Sequence, residues 1–197
     1  MTAMQTGGSN MVAAQSGVAT LLDWSQVRSG VEAFRASFNF SDDGKAFQYF
    51  SISKILKIDD DEIRTSITDG GDDRGIDAVY IESKSERKII HLFQFKHVRN
   101  FDNSKNTFPS NEIDKILSFV ENLLQKSDDI KSTCNPLLWN KVQDIWSALE
   151  ESIHSIQIHL CTNASALTPS HTRRFEEALR PYQHATLKQH DLIWFSY

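Results

Sequence analysis

Two apolar runs separated by a short polar segment constrain the fold of this chain more than any other feature. They lie in GIDAVYIESKSERKIIHLFQFKH, Gly75–His97. Both runs are rich in β-branched and aromatic residues, which predicts strands over Ile76–Ile81 and Ile89–Phe95. The connection, Ser83–Lys88, is short and polar, so the two strands are expected to form an antiparallel hairpin.

Three polar side chains interrupt the ends of these apolar runs: Asp77, Gln94 and Lys96. Gln94 and Lys96 are two positions apart, so they share one face of a strand. Asp77 joins that face if paired positions sum to an odd number, for example if Asp77 lies opposite Gln94. Such a register leaves a loop with an even number of residues, and Ser83–Lys88 has six. The sequence therefore permits the three side chains to meet at one end of the hairpin.

The rest of the chain alternates between helical and strand patterns. Spacings of three and four between apolar residues predict helices, and two further apolar segments predict strands. Helices are expected over 21–38 (as one or two segments broken near Gly30), from Ser41 and the acids that follow it, after Asp59–Asp61, from an N-cap at Ser110, near Pro136 and around Ser170–Pro181. Strands are expected over Ser155–Ala164 and within 184–195. The order predicts an α/β fold with a mixed central sheet flanked by helices.

Composition limits the classes of protein that need considering. The chain has 197 residues and a net charge of -5, so a basic surface over the whole molecule is excluded, although a local basic patch is not. Cys134 and Cys161 have neither zinc-site nor redox spacing and are expected to be reduced, which suits a cytoplasmic protein. No apolar run approaches the roughly 20 residues of a membrane span. Residues 1–20 are expected to form a flexible tail, and 21–197 a single domain.

The residue types at the hairpin end suit a divalent cation. The carboxylate of Asp77, the amide oxygen of Gln94 and the backbone carbonyl of Phe95 are hard oxygen ligands that Mg²⁺ or Mn²⁺ prefers. The ammonium group of Lys96 can orient a water molecule and stabilise negative charge on a phosphate. Together these groups suit metal-assisted hydrolysis of a phosphodiester bond.

This arrangement resembles the PD-(D/E)xK nuclease superfamily, in the QxK variant of the Mrr-type restriction endonucleases. The strings AFQYFSISKIL, ITDGGDDRGIDAVYI, HLFQFKH and FPSNEIDKILSFVENLL are similar to the N-terminal nuclease-like domain of abortive-infection phage-resistance (AIPR) proteins. The resemblance implies a restriction-endonuclease-like fold, with Asp77 as the metal-binding acid, Gln94 as the second ligand and Lys96 as the catalytic lysine. Many QxK relatives carry a glutamate after a phenylalanine on the preceding helix, and here that position is Gln48. Asp69, Asp72 or Asp73 could supply the missing negative charge.

Structural roles remain open for most of these residues. Asp77 could cap a turn, Gln94 and Lys96 could be an ordinary strand end, and the aspartates of the glycine loop are frequent turn formers. Glu112 is expected to be an acid that favours a helix N-terminus. His91 and His97 alternate away from Gln94 and Lys96 and are expected not to be catalytic.

Three functional hypotheses follow from the sequence. The first is a Mg²⁺-dependent nuclease that cuts nucleic acid, DNA in preference to RNA, in bacterial phage defence. The alternative is a catalytically inactive nucleic-acid-binding or interaction module with the same fold. The third is a fragment of a larger protein, in which the apolar ending Trp194–Tyr197 contacts a missing C-terminal region or a second copy of the chain.

Overall fold

A four-stranded sheet organises the chain, with helices before, between and after its strands. The computed structural model describes residues 20–82, 88–152, 155–165, 168–183 and 192–196. Its strands are β1 (Ala78–Glu82), β2 (Ile89–Lys96), β3 (Ser155–Thr162) and β4 (Leu192–Ser196). Its α-helices are α1 (Leu21–Phe38), α2 (Asp43–Leu56), α3 (Asp60–Ser66), α4 (Ser110–Leu124), α5 (Asp129–Thr133), α6 (Pro136–Glu151) and α7 (Pro169–Gln183), and a 3-10 turn spans Asp102–Lys105.

The sheet is mixed, and its strand order is β1-β2-β3-β4. β1 is antiparallel to β2, whereas β3 runs parallel to β2 and β4 runs parallel to β3. Ala78 pairs with Phe93, so the same register carried back by one residue places Asp77 opposite Gln94. The N–H of Asp77 donates to the carbonyl of Phe93 at 2.8 Å, which continues the ladder in that direction. The predicted hairpin and its odd-sum register are therefore confirmed.

Helices cover both faces of the sheet. Successive residues of β2 point to opposite faces, so Ile90 and Leu92 join one apolar cluster while Phe93 and Phe95 join the other. The first cluster packs β2 and β3 against α4 to α7, and the second packs them against α1 to α3. This three-layer arrangement confirms the predicted α/β class with a mixed sheet flanked by helices.

The predicted break in the first helix near Gly30 is wrong. α1 is continuous from a capping box, in which the side chains of Thr20 and Asp23 each accept a backbone N–H, to Phe38. A Cβ on Gly30 would lie 2.4 Å from Cε2 of Phe50 on α2. Glycine at this position therefore leaves room for the Phe50 ring between two helices, and it does not end the helix.

Two predicted helix starts had different outcomes. The start of α2 at Ser41 and the acids that follow it is confirmed, because the Asp42 carboxylate caps the helix by accepting the N–H of Lys45. The start of α4 is displaced by one residue. Pro109, not Ser110, occupies the cap position of α4, and Ser110 is the first helical residue. The cap of α3 by the acidic run is confirmed, since the Asp59 side chain accepts the N–H of Glu62.

Strand boundaries also differ slightly from those predicted. β1 begins at Ala78, two residues after Ile76, and β3 ends at Thr162, two residues before Ala164. The short helix α5 was not predicted. Most of the predicted tail and of the loop Ser83–Lys88 lies outside the described residues. Among the helices that the structure describes, none combines the length and apolar character needed to cross a membrane.

Candidate metal-binding site

The polar end of the hairpin lies at one edge of the sheet. Because β1 and β2 are antiparallel, the start of β1 and the end of β2 meet there. Asp77 and Gln94 are 6% and 3% exposed, and the side chain of Lys96 is 37% exposed. By register and by the alternation of β2, the structure places Asp77, Gln94 and Lys96 on one face of the sheet.

Asp77 is held by the backbone of both neighbouring segments. Its Oδ2 accepts the N–H of Phe95 at 2.6 Å, and its carbonyl accepts the N–H of Thr68 at 2.8 Å. Burial, together with the negative charges of Asp69 and Asp73, raises the pKa of this carboxyl group to about 7, against the lowering effects of the Phe95 N–H and of Lys96. The folded protein thus favours the neutral acid, whereas a bound cation would favour the charged form.

Three carboxylates form a group at this edge. One oxygen of each of Asp69, Asp73 and Asp77 lies within 4.8 Å of one oxygen of the other two. Asp69 is exposed, Asp73 is partly buried and Asp77 is buried. This group could bind a metal ion, because hard cations prefer several carboxylate oxygens. It shares only Asp77 with the predicted ligand set of Asp77, Gln94 and the Phe95 carbonyl.

The glycine loop fixes the position of Asp73 within this group. The Asp73 Oδ1 accepts the N–H of Gly75 at 2.8 Å, and the Asp73 carbonyl accepts the N–H of Ile76. Gly75 has a φ of +77°, in the left-handed region that favours glycine. A Cβ there would lie 3.1 Å from Cβ of Lys115 and 3.3 Å from Oε1 of Gln94. The loop can approach the strand and α4 this closely only with glycine at position 75.

Gln94 presents an amide oxygen with no hydrogen-bond donor. Its Nε2 lies 3.4 Å from the carbonyl of Phe95, and its Oε1 is buried without a partner. A buried acceptor that lacks a donor costs about 1–3 kcal/mol of stability. This oxygen lies beside Gly75, whose N–H donates to Asp73. An unsatisfied acceptor therefore lies next to the acidic loop. A cation or a water molecule would satisfy it.

The supporting residues divide into two groups. Gln48, 7% exposed on α2, donates from Nε2 to Oδ2 of Asp69 at 2.6 Å, so α2 is tied directly to the acidic group. Asp69 and Asp73 are brought to Asp77, as described above. Asp72 is exposed and is not in that group; its carbonyl accepts the N–H of Asn135 at 2.9 Å, which gives it a structural role.

Glu112 is the residue of this site that the sequence reasoning missed. Its Oε1 lies 3.3 Å from Nζ of Lys96, and its Oε2 lies 3.3 Å from Nζ of Lys115. Burial raises the pKa of Glu112, but the ammonium groups of Lys96 and Lys115 outweigh that effect and hold the pKa below its usual value. Glu112 was predicted only as an acid at a helix N-terminus. Its spacing of three from Lys115 signals a local pair, but no sequence pattern indicates the contact with Lys96.

The histidines behave as the strand alternation predicts. The Nδ1 of His91 lies 2.9 Å from Nε2 of His159 on the face opposite Gln94, where His91 is 4% exposed. The His97 ring lies 5.3 Å from the ring of Phe47, on the side of α2. Within the part of the chain that the structure describes, neither residue belongs to the acidic group.

Comparisons of this chain with models of protein families, with curated proteins and with solved structures found no match. The resemblance to PD-(D/E)xK nucleases and to AIPR proteins therefore stays a prediction from the residues that carry it.

Proposed function

We propose that this chain is a metal-dependent nuclease of restriction-endonuclease-like fold, which hydrolyses phosphodiester bonds of DNA with Mg²⁺ or Mn²⁺. The observation that carries the proposal is the presence, at one sheet edge, of the acidic group of Asp69, Asp73 and Asp77 together with Lys96 and its partner Glu112. Action in bacterial phage defence, inside the cytoplasm, rests on the resemblance to AIPR proteins alone.

The oxygen donors present fit a hard divalent cation. Asp69, Asp73 and Asp77 would hold it, and the unsatisfied Oε1 of Gln94 offers a neutral oxygen beside them. When bound, such an ion polarises a phosphoryl oxygen and lowers the pKa of a water molecule that serves as nucleophile. The Phe95 backbone has the supporting role of donating its N–H to Asp77, which orients that carboxylate.

Lys96 has the properties of a group that acts on the substrate. Its side chain is partly exposed, so the ammonium group can reach a phosphate, whereas Glu112 is largely buried and fixed on α4. The Glu112 carboxylate pairs with the lysine ammonium group at 3.3 Å and limits its conformations. A fixed positive charge next to a phosphate stabilises the additional negative charge of the transition state.

A cleavage assay tests the proposal. Plasmid DNA and a structured RNA are incubated with the wild-type protein in Mg²⁺, in Mn²⁺ and in EDTA, beside Asp77→Ala and Lys96→Ala. Asp72→Asn is the matched control, because Asp72 lies in the same loop but outside the acidic group. We expect metal-dependent cleavage by the wild type and the control, reduced roughly 100-fold or more in the other two variants.

The alternative is a nucleic-acid-binding or interaction module that does not cleave. It is favoured by Gln48, an amide that donates to Asp69 at the position where many QxK relatives carry an acid, and by the raised pKa of Asp77, which weakens its affinity for a cation. Binding of nucleic acid without cleavage in either metal would exclude the nuclease and support this module. Equal cleavage by wild type and both alanine variants would place the chemistry elsewhere in the chain.

A further inference from the structure

A polar cavity lies beside the sheet edge that carries the candidate metal-binding site. It has a volume of about 160 Å³ and is formed by α1, the start of α2 and the segment that follows β2. Three arginines line it: Arg28 and Arg35 from α1, and Arg99 from the segment after β2. His97 and Trp24 complete the part of the wall that can donate hydrogen bonds.

The charges in this cavity leave an excess of one positive charge. Its three guanidinium groups face two carboxylates, Glu32 and Asp43. The Arg28–Glu32 distance is 2.7 Å and the Arg35–Asp43 distance is 2.9 Å. In both pairs each side chain is more than a third exposed, and exposed ion pairs of this kind contribute little to stability. An incoming dianion or phosphodiester can therefore compete with the carboxylates for the two guanidinium groups.

Arg99 and His97 add donors that are not engaged by acids in this way. Among the described residues, Arg99 forms no ion pair with a carboxylate. Burial lowers the pKa of His97, and Arg99 lowers it further, while Asp43 and Asp42 raise it. The ring is therefore neutral near pH 7 and can donate one N–H to an anion.

Trp24 supplies an independent sign that an acceptor is missing. The residue is 8% exposed, and its indole Nε1–H is buried without a hydrogen-bond partner. The Arg28 guanidinium lies 5.4 Å from the centroid of its ring, and the Phe101 ring makes an edge contact at 6.2 Å. The unsatisfied N–H of Trp24 suits a phosphate, whose oxygens are hydrogen-bond acceptors.

The position of the cavity relates it to the acidic group. His97 directly follows Lys96 on the chain, so the cavity lies across β2 from Lys96 and at the same end of the strand. On α2, Phe47 contacts the His97 ring and the adjacent Gln48 donates to Asp69. One helix therefore links the cavity to the candidate metal-binding site.

We propose that this cavity binds one phosphate group of the nucleic acid, at a linkage other than the one that is hydrolysed. The inference rests on the proposed function for its partner, a nucleic acid. It adds a positioning site whose arginines fix the register of the strand and make no contact with the reacting phosphate.

The salt dependence of binding tests this site without any cleavage. Affinity for a fluorescein-labelled DNA duplex is measured by anisotropy in EDTA at several salt concentrations, for wild type, Arg28→Gln and Arg99→Gln. The matched control is Arg173→Gln, since Arg173 forms an i,i+4 pair with Glu177 on α7, as Arg28 does with Glu32 on α1, but lies outside the cavity. We expect both cavity variants to bind more weakly and to reduce the slope of log K against log salt by about 0.9. The control keeps the wild-type slope, and Arg99→Lys restores it.

A scan with single neutral methylphosphonate linkages then identifies the phosphate. One linkage should weaken wild-type binding and have no effect on Arg99→Gln, because that variant has already lost the contact. The inference is overturned if the cavity variants behave like Arg173→Gln, if no linkage loses its effect in Arg99→Gln, or if the wild type binds no nucleic acid.

If the wild type cleaves DNA and the cavity variants bind it normally, the proposed phosphate site is refuted and the proposed nuclease function is not. If the slope of log K against log salt depends on the cavity arginines but the protein does not cleave, the proposed phosphate site is supported and the proposed nuclease function is refuted.

Discussion

Asp77→Asn offers the most direct test of the electrostatics of the acidic group. The wild-type carboxyl group is 6% exposed and has a pKa of about 7 in the folded protein, against an ordinary value of 3.8. The folded state therefore favours the neutral acid. The asparagine variant keeps an oxygen that can accept the Phe95 N–H but does not titrate.

The sign and the size of the effect follow from linkage. The folded pKa lies above the unfolded one, so the stabilising contribution of the neutral acid is complete below about pH 4 and is lost as the pH rises through 7. A difference of about 3 pKa units at 1.36 kcal/mol per unit corresponds to about 4 kcal/mol. Relative to Asp77→Asn, the free energy of unfolding of the wild type should therefore fall by about 4 kcal/mol between pH 4 and pH 8.

Urea denaturation in EDTA across this pH range measures the difference directly. Asp72→Asn, in the same loop but exposed, should give a curve parallel to the wild type. At pH 8, Mg²⁺ or Mn²⁺ should restore stability to the wild type more than to Asp77→Asn, because a ligand that binds only the folded state stabilises it. Parallel curves for wild type and Asp77→Asn in EDTA would refute the assignment of a raised pKa to this carboxyl group.

Three further expectations concern neighbouring parts of the fold. Glu112→Gln removes the carboxylate shared by two lysines, so the rate of DNA cleavage should fall about tenfold with little change in DNA affinity. An equal loss of cleavage rate and of DNA affinity would contradict a role of Glu112 in positioning a lysine. Gly75→Ala should lower the free energy of unfolding, measured by urea denaturation, by about 1–3 kcal/mol, because the φ of Gly75 is +77° and the added methyl group meets Lys115. Gly71→Ala is the control and should be neutral, because a Cβ on Gly71 has no heavy atom within 4 Å. Burial, with the charge of His91, lowers the pKa of His159 to about 3, so the wild type should lose about 5 kcal/mol relative to His159→Phe as the pH falls from 6.5 to 3. A flat difference curve over that acid range would exclude a buried neutral His159.

The strand periodicity of the hairpin was sufficient to predict the most important geometric relation in the fold. Alternation fixes which residues share a face, and an even loop restricts the register, so the sequence permitted Asp77 opposite Gln94, and the structure shows that register. The helices were predicted for the same reason, because apolar spacing and caps are local properties. Gly30 was misread since glycine at a close helix crossing and glycine at a helix break look alike in sequence.

The contacts that complete the site are not local, and the sequence could not specify them. Asp69, Asp72 and Asp73 lie in one loop and look equivalent, yet only Asp69 and Asp73 lie beside Asp77. Asp69 accepts from the Gln48 side chain, whereas the carbonyl of Asp72 accepts the N–H of Asn135. Glu112 meets Lys96 only because α4 packs across the end of β2. Tertiary packing brings such pairs together, and residue spacing within a single helix or strand does not predict them.

The two candidate functions differ in what they require of the Gln48–Asp69 hydrogen bond. A nuclease needs the Asp69 carboxylate as a metal ligand, and the amide donor at 2.6 Å already engages Oδ2, one of its two oxygens. A binding module needs only a rigid edge, which the same bond provides by tying α2 to the loop. Gln48→Glu separates these requirements, because it adds the acid that many QxK nucleases carry at the corresponding position and removes the donor. In a nuclease we expect tighter metal binding and faster cleavage, whereas in a binding module four crowded carboxylates would lower stability and confer no cleavage in either metal.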